Sequence, residues 1–496
     1  MALVWIVTTG NSDFKVNRVD GFLHLRTEKN QQLKPCQKQF SSLVEGDDNL
    51  FSLPARVMGI IYGDTWETYN EYFRFPLLAE FVKKLKDERR YPDRIIVLLT
   101  NQEGIFLEDS DDPRYDRSED SPYWRDTSRL EPILAQYFDQ EFGVKAKFIP
   151  LEPKTIKDGL DNWDSALKLV QEKITTLGIA KDDLVIVSHQ ASTPAVSSAL
   201  QFASLSKFGE QVSFLISNER DTKLTRFLEG SEYLKGIRKR EAQTLLARYD
   251  YSGAEALIRG YLKDDKDTTT LLNAAIQWNF AKFDDFANEL ERLPEKFSDL
   301  VQEVKERRKC WWWEAYEAAY LGVVRLRQGN TVEAMFHSFR SVEGLLYKWV
   351  MKYHSEKLED RSSGGKDIVV SRDENGKPKK TYNAYGKKLY WFLNSYKTIG
   401  KKKNEDIWVF GNFVFDRRNE LFHQLRGLRS EEVFKNWQSP DETQCEHDPE
   451  GKWKTRILNC LNFIAKEDLP KEFESPEDAS LMAQVHCELE KSLANL

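Results

Sequence analysis

The heptapeptide Arg417-Arg418-Asn419-Glu420-Leu421-Phe422-His423 pairs a guanidinium with an imidazole at short range. An imidazole gives or takes a proton near neutral pH. A guanidinium holds a phosphodiester and the negative charge that grows on it as a bond breaks. Together these are the groups that RNA cleavage uses. The local pattern predicts a helix over 404–425. On it Asn419 and His423 are four apart and share a face. Arg418 and His423 are five apart, about 140° around an ideal helix. One straight helix aims that pair apart; a distorted helix or a second, two-fold-related copy brings it together. The same residues also read as an exposed, charged turn with a partly buried histidine.

Two other groups of residues bear on chemistry. Nine lysines and no Asp or Glu lie between Lys377 and Lys403, interleaved with Tyr382, Tyr385, Tyr390, Trp391 and Tyr396. Cations on phosphates with aromatics on unpaired bases grip single-stranded nucleic acid. The alternative is a solvated face whose aromatics enter the core. The second group is a set of polar loops, each following a short apolar run: Thr8-Thr9-Gly10-Asn11-Ser12-Asp13, Thr100-Asn101-Gln102 and Ser188-His189-Gln190-Ala191-Ser192-Thr193-Pro194. Pro194 in the first turn after Thr193 marks a well-formed helix start with free N–H groups. Three such loops at one sheet edge make a nucleotide-sized pocket; ordinary capped turns are the bland alternative. No G-x-G-x-x-G or Walker motif is present, which disfavours dinucleotide cofactors and ATP hydrolysis. Cys445-Glu446-His447 with Cys460, His486 and Cys487 lacks zinc spacing, so no metal is expected. Trp311-Trp312-Trp313 reads as domain-interface packing.

These residues need elements to position them. The runs Leu3–Thr8, Val57–Tyr62, Arg94–Thr100, Lys145–Pro150, Leu184–Ser188 and Val212–Ile216 are short and mostly apolar on both faces, as in buried parallel strands. Helical patterns at 68–91, 128–142, 161–177 and 194–208 separate them, predicting an open, Rossmann-like α/β sheet with right-handed crossovers. The acidic stretch Glu108–Asp120 reads as a solvated loop. Beyond residue 220 the pattern turns helical. A long helix is predicted from Thr331, a polar loop over 359–378, and further helices near 382–397, 452–466 and 476–494. The expected organisation is an α/β domain over 1–220, an all-α connecting region over 221–330 and an all-α domain over 331–496.

The bulk numbers set limits. A chain of 496 residues suggests about three domains. Hydrophobic residues at 40% and aromatics at 12% exclude wholesale disorder. The net charge of −7 argues against a non-specific nucleic-acid coat, though the cations cluster locally. Five widely spaced cysteines indicate no disulfide framework. The start MALVWIVTTGNSDF lacks a basic leader and no stretch nears the ~18 apolar residues of a span, so a cytoplasmic, membrane-free chain is expected.

The two ends of the chain together resemble a known family. The hexad Arg418–His423 resembles the R-x4–6-H signature of HEPN ribonucleases. The N-terminal sheet, with Thr8–Ser12 after its first strand and Ser192-Thr193-Pro194-Ala195 after a late one, resembles a CARF domain. That late loop is typically a Gly-Gly-Thr-Pro-like turn, from which this sequence departs at Gln190-Ala191-Ser192. The whole chain thus resembles the CARF–HEPN ancillary ribonucleases of type III CRISPR systems.

The resemblance implies a homodimer that binds one cyclic oligoadenylate across its two-fold axis, with the tetra-adenylate favoured over the hexa-adenylate. Thr8, Thr9, Gly10, Asn11, Ser12, Asn101, Ser188, His189, Gln190, Ser192 and Thr193 would line that pocket. Binding would activate a composite site with two copies of Arg418 and His423, without metal or cofactor. There the 2′-hydroxyl of single-stranded RNA attacks its neighbouring phosphate, leaving a 2′,3′-cyclic phosphate. His423 would transfer protons, Arg418 bind the phosphate and Asn419 support it; Lys387, Lys388 and Arg417 would bind RNA. Some CARF domains also cut their activator slowly, and Thr9, Asn11, His189 and Ser192 are the polar groups suited to that here. No stable DNA partner is implied. Two rivals stay open: a ligand-sensing dimer that grips RNA or protein without cutting, and an α/β enzyme acting on a small nucleotide.

Overall fold

The computed structural model describes residues 1–11, 13–17, 33, 50, 53–107, 115–218, 224–362, 364–422, 427–442 and 448–496. They form two compact units, Met1–Gly236 and Ile237–Leu496.

The first unit is built on a six-stranded sheet. Its strands are β1 (Leu3–Thr8), β2 (Arg94–Thr100), β3 (Lys147–Leu151), β4 (Leu184–Ser188), β5 (Val212–Ile216) and β6 (Arg226–Glu229), in the order β3-β2-β1-β4-β5-β6. All neighbours pair in parallel except β6, which runs antiparallel to β5 at the edge. Helices cover both faces. Trp5 and Val7 face a layer made by α1 (Ala55–Tyr62), α2 (Pro76–Asp87) and α3 (Glu131–Phe142). Val4 and Ile6 face the layer of α4 (Trp163–Thr175) and α5 (Pro194–Phe208). Burial on both sides is why β1 is apolar at every position rather than at alternate ones. The chain leaves β1 toward one flank and β4 toward the other, so the sheet reverses direction between them. Ligands of open α/β sheets sit beyond the carboxyl ends of such a strand pair.

Two expectations for this unit change. Val57–Tyr62 is part of helix α1, not a strand. Nearly every residue of α1 is buried, so it carries no polar face, and periodicity cannot separate such a helix from a buried strand. Gly59 permits that depth: a Cβ there would lie 2.2 Å from the Arg129 carbonyl oxygen. Strand β6 was not expected, because Arg-Phe-Leu-Glu is half-exposed and carries a weak apolar signal.

The second unit has one continuous core from Ala242 to Leu493. The boundary expected near residue 330 falls inside it, between α6 (Trp313–Arg327) and α7 (Thr331–Tyr353). Gly329, at φ +79°, and the Asn330 side chain, which accepts from the Glu333 N–H at 3.2 Å, make a tight turn there. The helices then approach closely enough for a Cβ on Gly322 to lie 3.2 Å from the Ser338 nitrogen. Trp312 and Trp313 belong to this same core.

The C-terminal region is not all-α. The segment expected as a polar loop holds β7 (Leu358–Asp360), β8 (Lys366–Arg372) and β9 (Pro378–Asn383), an antiparallel sheet in the order β9-β8-β7. Ile368 and Val369 pack into the core, and Gly376 at φ +76° turns β8 into β9. Few strand positions are apolar because most of this hairpin is solvated. Helices α8 (Lys387–Tyr396) and α9 (Glu405–Val409) follow, and α9 passes through a π-helical turn, Phe410–Val414, into α10 (Phe415–Phe422). Next come α11 (Ser430–Asn436) and α12 (Pro449–Ala465). No helix among the described residues is long and apolar enough to cross a membrane.

Candidate functional site

At the carboxyl edge of the first sheet, the loops after β1 and β4 are in contact. A Cβ on Gly10 would sit 2.4 Å from the Ala191 carbonyl oxygen, so only glycine lets these backbones meet. Below them the Thr8 hydroxyl donates to the Ser188 carbonyl (3.3 Å) and the Trp5 indole donates to the Ser188 hydroxyl (3.0 Å). Gly10→Ala is expected to force the loops apart and cost the first unit about 1–3 kcal/mol, as overpacking does. Chemical denaturation measures this; an unchanged midpoint would mean that the loops are not in contact.

Two polar atoms beside this contact are buried and have no hydrogen-bond partner among the described residues: the Thr9 hydroxyl and His189 Nε2. The other ring nitrogen, Nδ1, is 2.8 Å from the Ser197 hydroxyl, and burial lowers the His189 pKa below its usual value. Thr9 and His189 thus each keep a polar atom that the described protein groups do not satisfy. A cavity of about 280 Å3 opens next to Asn11, lined also by Pro54, Glu119, Asp120, Ser121, Trp124 and Arg125.

Thr8, Thr9, Gly10, Ser188 and His189 lie on or just before the two loops that meet here, with Thr8 and Ser188 buried in hydrogen bonds beneath the contact. Several other residues named for this pocket have structural work instead. The Asn11 side-chain Oδ1 accepts from the Ala55 N–H at 2.7 Å, at the start of α1. Gln190 clasps the backbone of Ser217, accepting from its N–H (2.6 Å) and donating to its carbonyl (3.0 Å). Thr193 caps α5 and donates to the Leu160 carbonyl (2.9 Å). Ser192 is half-buried in the turn, and Ser12 lies outside the described residues.

Sequence reasoning missed the network that fixes these loops. Arg56, wholly buried on α1, donates to the Tyr123 backbone carbonyl (2.9 Å), the Asn101 side-chain Oδ1 (3.0 Å) and the Asp126 carboxylate (3.1 Å). Asp126 also accepts from the Gln102 backbone N–H (2.7 Å). The Gln102 side chain accepts from the Leu160 N–H (3.0 Å), and Leu160 in turn receives Thr193. The signal was present: one arginine at the head of an otherwise apolar run, where a buried charge must be paired.

In the second unit, Arg418 lies on α10 with its guanidinium 4.4 Å from the ring centre of Phe339 and donates to the Asn419 side-chain Oδ1 (3.0 Å). Glu343, one turn beyond Phe339 on α7, accepts from the Gly386 N–H (2.7 Å). Burial raises the pKa of Glu343, opposed by that N–H and by the charge of Arg418. The π-turn ahead of α10 sets the azimuth of Arg418. It is held by packing, because the Tyr390 ring occupies the space that a side chain on Gly411 would need. Position 423 lies outside the described residues, as do Cys445, Glu446 and His447.

The basic residues divide. Arg417 was expected to bind RNA, but it donates to the carbonyls of Lys435 (3.1 Å), Asn436 (3.4 Å) and Gln438 (2.6 Å), closing the end of α11. Lys387 is paired with Asp416 at 2.8 Å. Lys388 lies over the Trp391 ring at 3.9 Å. Among the described residues no group of three His, Cys, Asp or Glu side chains could hold a metal.

No family model and no curated protein matches the sequence. Among solved structures, Csm6 of Enterococcus italicus bound to cyclic hexa-2'-fluoro-hexa-dAMP aligns with a TM-score of 0.54. The alignment covers 99% of this chain and 100% of that one at 12% identity. The chain has the fold of Csm6. The likeness to Csm6 spans both compact units, and it bears out in fold the resemblance to CARF–HEPN proteins read from the sequence.

Proposed function

We propose that the chain is an endoribonuclease of antiviral CRISPR defence, switched on by a cyclic oligoadenylate and cutting single-stranded RNA as a homodimer without metal. The observation that carries this reading is the whole-length likeness in fold to Csm6, a protein solved with a cyclic oligonucleotide bound. In this reading residues 1–220 sense the activator, 221–330 connect, and 331–496 cut. The division is functional, since the last two segments share one core.

Thr9 and His189 are the groups that would meet the activator, and slow cleavage of the activator in the same pocket belongs to the reading. In the second unit Arg418, lying over Phe339 and bonded to Asn419, would hold the scissile phosphate through the charge of its guanidinium. His423 would take the 2′-hydroxyl proton, and its two-fold mate would protonate the leaving oxygen.

Cleavage of end-labelled single-stranded RNA in EDTA tests this, with and without cyclic tetra- or hexa-adenylate. The expected result is stimulation, the tetra-adenylate being the stronger activator, with 2′,3′-cyclic phosphate ends. No stimulation by either ring, or a requirement for metal, sinks the reading.

A further inference from the structure

The β8–β9 ribbon is packed only at its base. Val370, Ser371, Arg372 and all of Pro378–Thr381 are exposed. Lysine on such a bare edge strand can serve simply to prevent strand addition by another chain. That role does not explain the aromatic surface beside it. Tyr385 is 57% exposed and Trp391 42%, while their neighbour Tyr390 is buried against the π-turn. The Tyr382 ring meets Trp391 edge-on at 6.3 Å, and Lys380 and Lys388 each lie 5.3 Å from the Tyr382 ring centre.

The cations here are available in a way that others of the tract are not. Lys387, Lys397 and Lys401 are paired with Asp416, Glu467 and Asp441. Lys379, Lys380 and Lys388 have no carboxylate partner among the described residues. The platform is also tied to the Arg418 helix. Helix α8 begins at Gly386 and Lys387, which bond to Glu343 and to Asp416, and Asp416 lies two residues before Arg418 on α10.

We propose that the β9 edge and the Tyr382–Tyr385–Trp391 platform form the surface that holds single-stranded RNA and leads it to Arg418. Phosphates follow Lys379, Lys380 and Lys388, and unpaired bases stack on the exposed rings. A duplex hides its base faces, and an acidic peptide has no use for exposed aromatic rings, so a single strand is the occupant that uses both features. The inference takes its substrate from the ribonuclease reading but is tested by binding alone.

The full-length protein is titrated into a labelled 2′-O-methyl oligoribonucleotide, which lacks the attacking hydroxyl, and anisotropy is followed at several salt concentrations. Tyr385→Ala/Trp391→Ala is expected to weaken binding at least about tenfold. Lys379→Ala/Lys380→Ala is expected to reduce the log–log salt slope by about 1.4, two phosphate contacts on a single strand. In cleavage assays both pairs raise KM and leave kcat unchanged. These side chains are exposed, so thermal melting should match wild type, and the lysine pair stands as the second test if the aromatic pair misfolds. Unchanged affinity and slope in the folded variants overturn the proposal, as does a wild type that does not bind RNA. Equal competition by duplex RNA or by polyglutamate overturns the assigned occupant. A wild type that binds through these residues yet never cleaves overturns the ribonuclease reading and supports this surface.

Discussion

His423→Ala is expected to lower activator-stimulated RNA cleavage by roughly 10²–10⁴-fold, the usual worth of a positioned proton-transfer group. Arg418→Ala should fall in a similar range, since removing one donor to a developing charge costs about 10²–10³ in rate. Residues that act as a unit are not additive, so the double variant should be little worse than the more damaging single one. Arg418→Lys should not restore activity. A lysine keeps the charge but loses the flat fork that lies over Phe339 and reaches Asn419 while still facing a phosphate. RNA binding should survive in each variant, because the proposed platform lies on other residues. Single-turnover cleavage with saturating activator, beside an anisotropy titration, makes the measurement. Undiminished cleavage by His423→Ala would remove the HEPN assignment altogether. No cleavage by the wild type under any activator would instead favour a binding module.

The second large effect is on stability. Arg56→Met is expected to destabilise the first unit by about 3–5 kcal/mol, because removing one partner of a buried pair strands the other. Asp126 is only 2% exposed, and burial already raises its pKa, held back by the Gln102 N–H and by Arg56. Without the guanidinium its pKa rises further, so the ionised form is penalised more in the folded state. A carboxyl raised on folding costs stability at pH above its folded pKa and ceases to do so as acid neutralises it. The loss in Arg56→Met should therefore be greatest near neutral pH and shrink as the pH falls. Arg56→Met/Asp126→Leu should recover part of the loss, the remainder being the Gln102 N–H left without its acceptor. Urea denaturation at neutral and acidic pH reads both effects. A single variant within 1 kcal/mol of wild type would show that this cluster is not what holds the loops.

The parts of the fold that were legible in the sequence are those where one interaction dominates. Leu184–Ser188 and Val212–Ile216 are central strands covered on both faces, and their composition says so. Pro194–Phe208 announces itself through Thr193 and Pro194. Val57–Tyr62 misled because complete burial erases the period that distinguishes helix from strand. The β7–β9 sheet was hidden for the opposite reason: it is mostly solvated, so its polar residues resemble loop. In the sites, the glycine at position 10 and the paired polar loops could be found from residue types. The occupation of Asn11, Gln190 and Arg417 could not, because each depends on a backbone group distant in sequence: Ala55, Ser217, and the end of α11.

The π-turn at Phe410–Val414 has a genetic consequence. Such a turn carries one residue more than an α-turn, and here Gly411 and Tyr390 keep it from being smoothed away. Losing a single codon within it would let the helix close into regular α geometry with its backbone bonds intact. Five π residues turn the chain about as far as four α residues, so everything downstream would keep its phase. Arg418 would stay over Phe339 and the apolar core would keep its members. A one-residue deletion is thus tolerable at this turn, whereas in a plain α-helix it would rotate all that follows by about 100°.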